Sequence, residues 1–196
     1  KTTELEAIES VAARLRRHLE ATNELVRLDN GTLVLDHAVF SLPELIARAV
    51  EAWSGRRAPA LSVAPGVPDL VMGDAVHLGQ IVTAILDRAS LAGGEDLAVF
   101  LESGSTTANT VRVRFDWSTS ETTSPSDEWQ AICREIDASG SQTARRSSPL
   151  ALAVGLARAM RGDVTCSTAR HGRRSIEVLV ELPAERTDPR TDETVL

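Results

Sequence analysis

Residues 73–91, GDAVHLGQIVTAILDRASL, form the segment that decides the predicted fold of this chain. Gly73 and Asp74 indicate a turn and a helix N-cap, because the Asp74 carboxylate can accept hydrogen bonds from the first helical N–H groups. Apolar residues then recur at helical spacing, at Val76, Leu78, Ile81, Val82, Ile85, Leu86 and Ala89. The segment is therefore predicted to be a core helix.

The composition is that of a soluble globular protein. The chain has 196 residues, 42% of them hydrophobic and 25% charged, which suits one good-sized domain. A formal net charge of -7 argues against nucleic acid as a partner, because phosphate binding needs a basic face. No apolar run reaches the roughly 20 residues needed to cross a bilayer, and no secretory signal is present. The chain begins at Lys1, so we expect a cytoplasmic fragment of a longer protein that makes no membrane contact.

Two cysteines, Cys133 and Cys166, lie far apart and lack metal-ligand spacing. In a cytoplasmic protein, such cysteines are expected to be reduced, structural thiols.

The first part of the chain is predicted to be one long helix. Residues 2–28 contain no Gly or Pro, and the turn Asp29-Asn30-Gly31 ends the helix. Apolar or small residues alternate at intervals of three and four, at Leu5, Ile8, Ala12, Leu15, Leu19, Thr22 and Val26. This heptad seam needs a partner helix, either in a second copy of the chain or in sequence not present here. Packing on the body of the domain is the alternative. We therefore predict a dimerisation-type helix over residues 1–30.

The remaining pattern mixes strands with helices. Ser41 and Glu44 stand at capping-box spacing before a helix that runs to Trp53. Residues 116–148 are rich in Ser and Thr and are predicted to be a mobile loop carrying one amphipathic helix. Predicted strands cover residues 32–35, 61–64, 70–72, 97–101, 111–115, 163–167 and 175–182, and a further helix covers residues 150–160. The charged tail, residues 185–196, is predicted to be disordered. This order predicts an α+β fold, a two-layer sandwich in which helices cover one face of a mixed sheet.

The segment 73–91 resembles the first ATP-site helix of sensor histidine kinases, whose pattern is G-D-x-x-R-L-x-Q-[IV]-[LV]-x-N-L-L-x-N-A-x-K. Nine positions agree, at Gly73, Asp74, Leu78, Gln80, Ile81, Val82, Ile85, Leu86 and Ala89. Two further passages are similar to passages of the family. One is residues 36–46, DHAVFSLPELI. The other is residues 147–183, which agree with the family at Met160, Gly162, Gly172, Ser175 and Leu182-Pro183. The resemblance implies an ATPase-type domain over residues 31–184, preceded by the second helix of a dimerisation hairpin.

The positions that carry the family chemistry are substituted here. The resemblance places two asparagines of the family at Ala84 and Arg88 and a lysine at Leu91. A cation at position 88 would repel the Mg²⁺ that the asparagine holds through a neutral oxygen. The adenine box D-x-G-x-G falls on residues 116–120, where Asp116 is kept and the glycines are Ser118 and Ser120.

The phosphate-facing loop is substituted as well. Its three glycines correspond to Ser147, Pro149 and Ala151. Glycines there let the backbone approach phosphates and point N–H groups at them, whereas proline has no N–H. The substitutions therefore cover all three nucleotide boxes, and neither ATP nor Mg²⁺, which intact members bind, is expected here.

The phosphoacceptor box of the family, of the type H-E-L-R-T-P-L, is absent from this sequence. His18 is a weak candidate, and an exposed helical histidine without a role is the plainer interpretation. His37, His77 and His171 show no Cys, Asp or Glu at metal or triad spacing.

Three functional interpretations follow, and whether the chain is an enzyme is left open. The first is a degenerate kinase-like domain that acts as a phosphorelay adaptor, pseudokinase or histidine phosphotransferase, with a response-regulator receiver domain as partner and a homodimer through the N-terminal helix. The second is a divergent but active ATP-dependent histidine kinase. The third is a non-signalling interaction module on the same fold.

Overall fold

The computed structural model describes residues 16, 19–20, 22–53, 59–91, 95–104, 110–118, 127–138, 148–168 and 173–183. The helices are α1 (described continuously over residues 22–29), α2 (Leu42–Ala52), α3 (Ala75–Leu91), α4 (Asp127–Ala138) and α5 (Pro149–Ala159). The strands are β1 (Ala38–Ser41), β2 (Ala60–Val63), β3 (Leu70–Gly73), β4 (Glu95–Ser103), β5 (Thr110–Ser118), β6 (Asp163–Thr168) and β7 (Arg174–Glu181). His18 and the tail predicted to be disordered lie outside these ranges. No helix within them is long and apolar enough to cross a membrane.

The strands form a five-stranded mixed sheet and a small two-stranded sheet. The order in the larger sheet is β2-β4-β5-β7-β6, with β2 parallel to β4 and every other pair antiparallel. The smaller sheet pairs β1 with β3, and Met72 of β3 donates a backbone hydrogen bond of 2.8 Å to the Pro183 carbonyl just after β7. The predicted α+β architecture, a mixed sheet with helices on one face, is confirmed. The predicted strand at residues 32–35 is wrong, because β1 begins at Ala38, where pairing with β3 starts.

The core lies between one face of the larger sheet and the helices. On β5 the burial alternates strictly, and Val111, Val113, Phe115 and Trp117 are almost completely buried. Helix α3 faces these residues with its apolar stripe, and its buried side chains are Leu78, Ile81, Val82, Ile85, Leu86 and Ala89. Helix α5 packs along α3 and is buried over most of its length. Helices α3 and α5 thus form the layer that covers this face of the sheet.

Both predicted N-caps form in the structure. The Asp74 carboxylate accepts from the His77 N–H at 2.9 Å, and the Ser41 hydroxyl accepts from the Glu44 N–H at 3.4 Å. Each cap satisfies a backbone donor that has no partner within its helix. Ser148 does the same for α5.

Helix α1 packs on the domain with a face that is not the heptad seam. Leu25 is buried and Leu28 lies against the core, close to Gly155 of α5. Leu19 and Val26 of the predicted seam are 64% and 51% exposed. The described part of α1 therefore contacts the domain body and presents the seam outward at the same time.

Gly162, between α5 and β6, lies directly against the backbone of β7. A Cβ at this position would overlap the Leu179 carbonyl of β7, which is backbone and cannot rotate away. We expect Gly162→Ala to lower the free energy of unfolding by about 1–3 kcal/mol, the cost typical of forcing extra atoms into a packed site. Urea denaturation measures this.

The matched control is Gly79→Ala in α3, where an added Cβ would meet only the Leu45 side chain at 4.0 Å. This change should stabilise by up to about 1 kcal/mol, since alanine is the better helix former. Equal effects of the two substitutions would contradict the assigned packing.

Candidate functional site

The box positions that the structure describes on α3, on α5 and at the end of β5 lie around one junction, which α4 also joins. Helix α3 packs on α5 and on β5, while α4 packs on α5 and on the edge strand β6. The side chains at this junction decide what the site can accommodate.

Asp116 lies on the face of the sheet that the helices do not cover. The alternation of β5 places its side chain opposite to the buried Phe115 and Trp117. Its Oδ1 accepts from the Ser175 hydroxyl at 2.7 Å, and its Oδ2 lies 3.5 Å from Arg114 Nε. Arg114 also pairs with Glu102 at 3.2 Å. Asp116 therefore belongs to a charged network on the outer face, rather than to the junction of the helices.

Trp117 is the β5 residue that points into the junction. It is completely buried, and its ring meets the Trp129 ring of α4 edge to face, with the centroids 5.4 Å apart. The Arg174 guanidinium of β7 lies 5.7 Å from the centroid of the Trp129 ring. The Trp129 Nε1–H donates to the Thr168 hydroxyl at 3.0 Å. An aromatic pair and a buried cation thus fill the space between α4 and the end of the sheet.

A disulfide joins α4 to β6. It links Cys133 to Cys166, whose Cα atoms are 5.8 Å apart. The expectation of two separate reduced thiols is therefore wrong. The reason is that the fold brings together residues 33 positions apart in sequence, a proximity that spacing alone does not reveal.

A carboxylate stands at the N-terminus of α5. Glu135 of α4 accepts a hydrogen bond from the Ser148 hydroxyl, and its Oε2 lies 3.8 Å from Arg88 Nη2 of α3. The Ser148 hydroxyl in turn accepts from the Leu150 N–H at 3.1 Å. A helix N-terminus favours an anion because its N–H groups carry partial positive charge. In this chain Glu135 supplies that anion and Arg88 balances it.

The other predicted site positions that the structure describes lie on α3, α5 and β5. Ala84 is half-buried against the core, and Pro149 is the exposed first residue of α5. Ala151 is buried, with its N–H 3.5 Å from the Ser148 hydroxyl. Ser118 is the last residue of β5, and Leu91 is the last residue of α3, although its side chain lies outside the described residues. Ser120 and Ser147 lie outside them altogether.

A second polar cluster joins α1 to the start of α3. His77 Nδ1 lies 2.6 Å from Asp74 Oδ2, and His77 Nε2 lies 4.0 Å from Glu24 Oε1. Gln80 donates to the same Glu24 oxygen at 3.1 Å. His77 and Asp74 meet because one helical turn brings position 77 back over position 74. Within the described residues, no group of three or more His, Cys, Asp or Glu side chains could hold a metal ion.

The hydrogen bonds of this cluster act on the charge of Asp74. Burial by itself would raise the Asp74 pKa, but the backbone N–H groups of His77 and Asp36 and the His77 ring stabilise the carboxylate. The net effect lowers the pKa of Asp74 below its ordinary value.

Sequence reasoning did not single out Glu135, Arg174 or Trp129 as residues of the site. One signal was present in the sequence: the alternation from Val111 to Trp117 places Trp117 in phase with the core face and Asp116 out of phase. The partners of Glu135 and Arg174 lie on other elements, and no local pattern marks them.

No protein-family model matches the sequence, and no curated protein matches it. Solved structures do resemble the fold. The Acinetobacter baumannii histidine kinase AdeS aligns with a TM-score of 0.65 and 13% identity over 90% of this chain and 83% of AdeS. Full-length ShkA, solved in complex with AMPPNP, gives a TM-score of 0.69 and 18% identity over 94% of this chain and 39% of ShkA.

The mycobacterial sensor histidine kinase MprB gives a TM-score of 0.53 and 17% identity over 76% of this chain and 99% of that structure. These likenesses show that the chain has the fold of a histidine-kinase ATP-binding domain, which confirms the resemblance seen in the sequence.

The lowered pKa of Asp74 predicts a pH-dependent contribution to stability. The ionised carboxylate stabilises the folded state above the unfolded pKa of about 3.9, and this contribution is lost as the pH falls through the lower folded value. We expect Asp74→Asn, which keeps a capping side chain, to be destabilised most above about pH 5, with the difference from the wild type shrinking at lower pH. Urea denaturation from pH 7 to pH 3 measures this difference.

Asp74→Ala serves as the comparison, because it also removes the N-cap, at a cost of about 1–2 kcal/mol. A constant difference between wild type and Asp74→Asn at every pH would contradict the assigned interaction.

Proposed function

We propose that this chain is the degenerate kinase-like domain of a two-component signalling protein. It works as a phosphorelay adaptor, pseudokinase or histidine phosphotransferase that docks a response-regulator receiver domain, and it does not bind ATP. The histidine-kinase fold supports the signalling context. The substituted nucleotide boxes support the loss of ATP binding.

The observation that carries the proposal is the Glu135–Arg88 pair at the N-terminus of α5. In the family, according to the resemblance, phosphate oxygens meet this end of the fold and Mg²⁺ is held from α3. A resident carboxylate competes with a phosphate for the same donors and repels its charge. Arg88 at the metal position repels Mg²⁺.

The buried aromatic pair supports the same conclusion. Trp117 and Trp129 contact each other beneath α4, and both are at least 97% buried. A planar base entering this region would have to displace rings that already pack at native distances, with a cost comparable to creating a cavity in the core. ShkA, which was solved with AMPPNP, shares the fold, so we attribute the loss to these side chains and not to the architecture.

The alternative of a divergent active kinase rests on Asp116. In this structure the Asp116 carboxylate is engaged by Ser175 and Arg114 on the outer face of the sheet. An active kinase would need Asp116 to leave this network.

A fluorescent ATP analogue with Mg²⁺ tests the proposal. We expect no saturable binding at micromolar concentrations, because the Glu135–Arg88 pair and the two buried tryptophans occupy the nucleotide region. A sensor histidine kinase with intact boxes should bind under the same conditions. Fluorescence anisotropy measures the binding.

Asp116→Ala and Asp137→Ala form a matched pair, since Asp137 is an exposed acidic residue of α4. Saturable binding that Asp116→Ala abolishes and Asp137→Ala preserves would establish the active-kinase alternative and overturn the proposal.

We also propose that the chain forms a homodimer through the N-terminal helix. Leu19 and Val26 of the heptad seam are exposed, while Leu25 packs on the domain. An apolar seam that faces away from its own domain favours a partner helix.

Val26→Gln should weaken the dimer by at least about tenfold, because a buried valine contributes roughly 1.5–3 kcal/mol. Arg27→Gln, which places the same side chain at the neighbouring exposed position, should leave the dimer unchanged. Sedimentation equilibrium measures both dissociation constants. A wild-type chain that stays monomeric, or equal weakening by the two variants, would contradict assembly through this seam.

A further inference from the structure

Helix α4 covers the edge of the sheet at β6 and contacts α5. Its buried side chains, Trp129, Ile132 and Ile136, all face inward, whereas Arg134 and Asp137 are exposed. Polar links between α4 and its neighbours include the hydrogen bond to Thr168, the contact with Arg174 and the link through Glu135. Partly exposed ion pairs of the Arg88–Glu135 type contribute little to stability. Apart from the disulfide, the noncovalent contacts that hold α4 on the sheet come from its inward face.

The disulfide adds one covalent link at the centre of this cover. Cys133 lies in the middle of α4 and Cys166 in the edge strand β6, and both side chains are only partly buried. A Cα separation of 5.8 Å lies in the range that a disulfide spans without backbone movement. A partly exposed disulfide is open to attack by a thiolate, and a cross-link between two elements restricts their separation directly.

We infer that Cys133 and Cys166 form a redox switch that controls the opening of α4. In the oxidised form the disulfide holds α4 over Trp117 and the N-terminus of α5. A dithiol reductant cleaves the link in two exchanges. One thiolate of the reductant attacks a cysteine sulfur, forms a mixed disulfide with it and releases the other cysteine as a thiolate. The second thiol of the reductant then attacks the reductant's own sulfur in the mixed disulfide and releases the remaining cysteine. The products are two cysteine thiols and the oxidised, disulfide form of the reductant, so two electrons and two protons pass to the protein.

Reduction has a defined structural consequence. Without the cross-link, α4 is held by its apolar face and the polar contacts alone, and local opening becomes more frequent. Opening uncovers the apolar surface around Trp117 and separates Glu135 from Ser148 and Arg88. The switch therefore controls access to the surface beneath α4, and it operates whether or not that surface binds nucleotide.

The physical setting favours a switch over a permanent cross-link. The core beneath the helices is large, and it does not depend on the disulfide in the way that small disulfide-rich domains do. Disulfides in reducing compartments, where we expect this protein, are usually transient and catalytic or redox-sensing.

Hydrogen exchange read by mass spectrometry tests the switch on the full chain. In the wild type, dithiothreitol should accelerate exchange of the α4 amides by about tenfold or more, while the amides of α3 and β7 keep their rates. The variant Cys133→Ser/Cys166→Ser should exchange rapidly in α4 with or without reductant, which separates loss of the link from any direct effect of the reagent.

The second measurement is the fraction of oxidised chain in a glutathione buffer whose redox potential matches that of the cytosol. Alkylation of free thiols gives this fraction. We expect oxidised and reduced chains to coexist in this buffer. Unchanged α4 exchange on reduction, equal acceleration in α3 and β7, or a pair that stays fully oxidised in this buffer would each overturn the proposal in favour of a permanent staple.

Discussion

Burial of the apolar stripe of α3 against one face of the five-stranded sheet is the contact on which the rest of the structure depends. Ile81 and Ile85 are completely buried, and α5 packs beside them on the same face. This contact leaves the opposite face of the sheet to charged side chains. Helix α1 docks on the same body from outside, through Leu25 and the polar cluster of Glu24, Gln80 and His77. The layered arrangement follows from one amphipathic helix and one two-faced sheet.

The two faces of β5 give neighbouring side chains different surroundings. A shift of one residue along a strand moves a side chain from one face of the sheet to the other. Trp117 points toward the helices and packs on Trp129, while the neighbouring Asp116 points outward to Ser175. The core gains a large apolar side chain at this position. At the end of β5, Trp117 therefore packs against α4, whereas the Asp116 carboxylate takes part in the polar network of the outer face.

Helix α4 contacts several neighbouring elements. It contacts α3 through Arg88, the N-terminus of α5 through Ser148, and β6 through the disulfide. The disulfide is the link among these that a reductant can break, and the proposed switch acts through it.

The sequence by itself determined the layers and the helices. Hydrophobic periodicity, the caps at Ser41 and Asp74, and the alternation of β5 are local signals, and each of them recurs in the structure. Only the tertiary structure decided that Asp116 accepts a hydrogen bond from Ser175, that Glu135 sits at the N-terminus of α5, and that Cys133 is joined to Cys166. The physical reason is distance along the chain: these contacts join residues on different elements, and no periodicity encodes which elements meet.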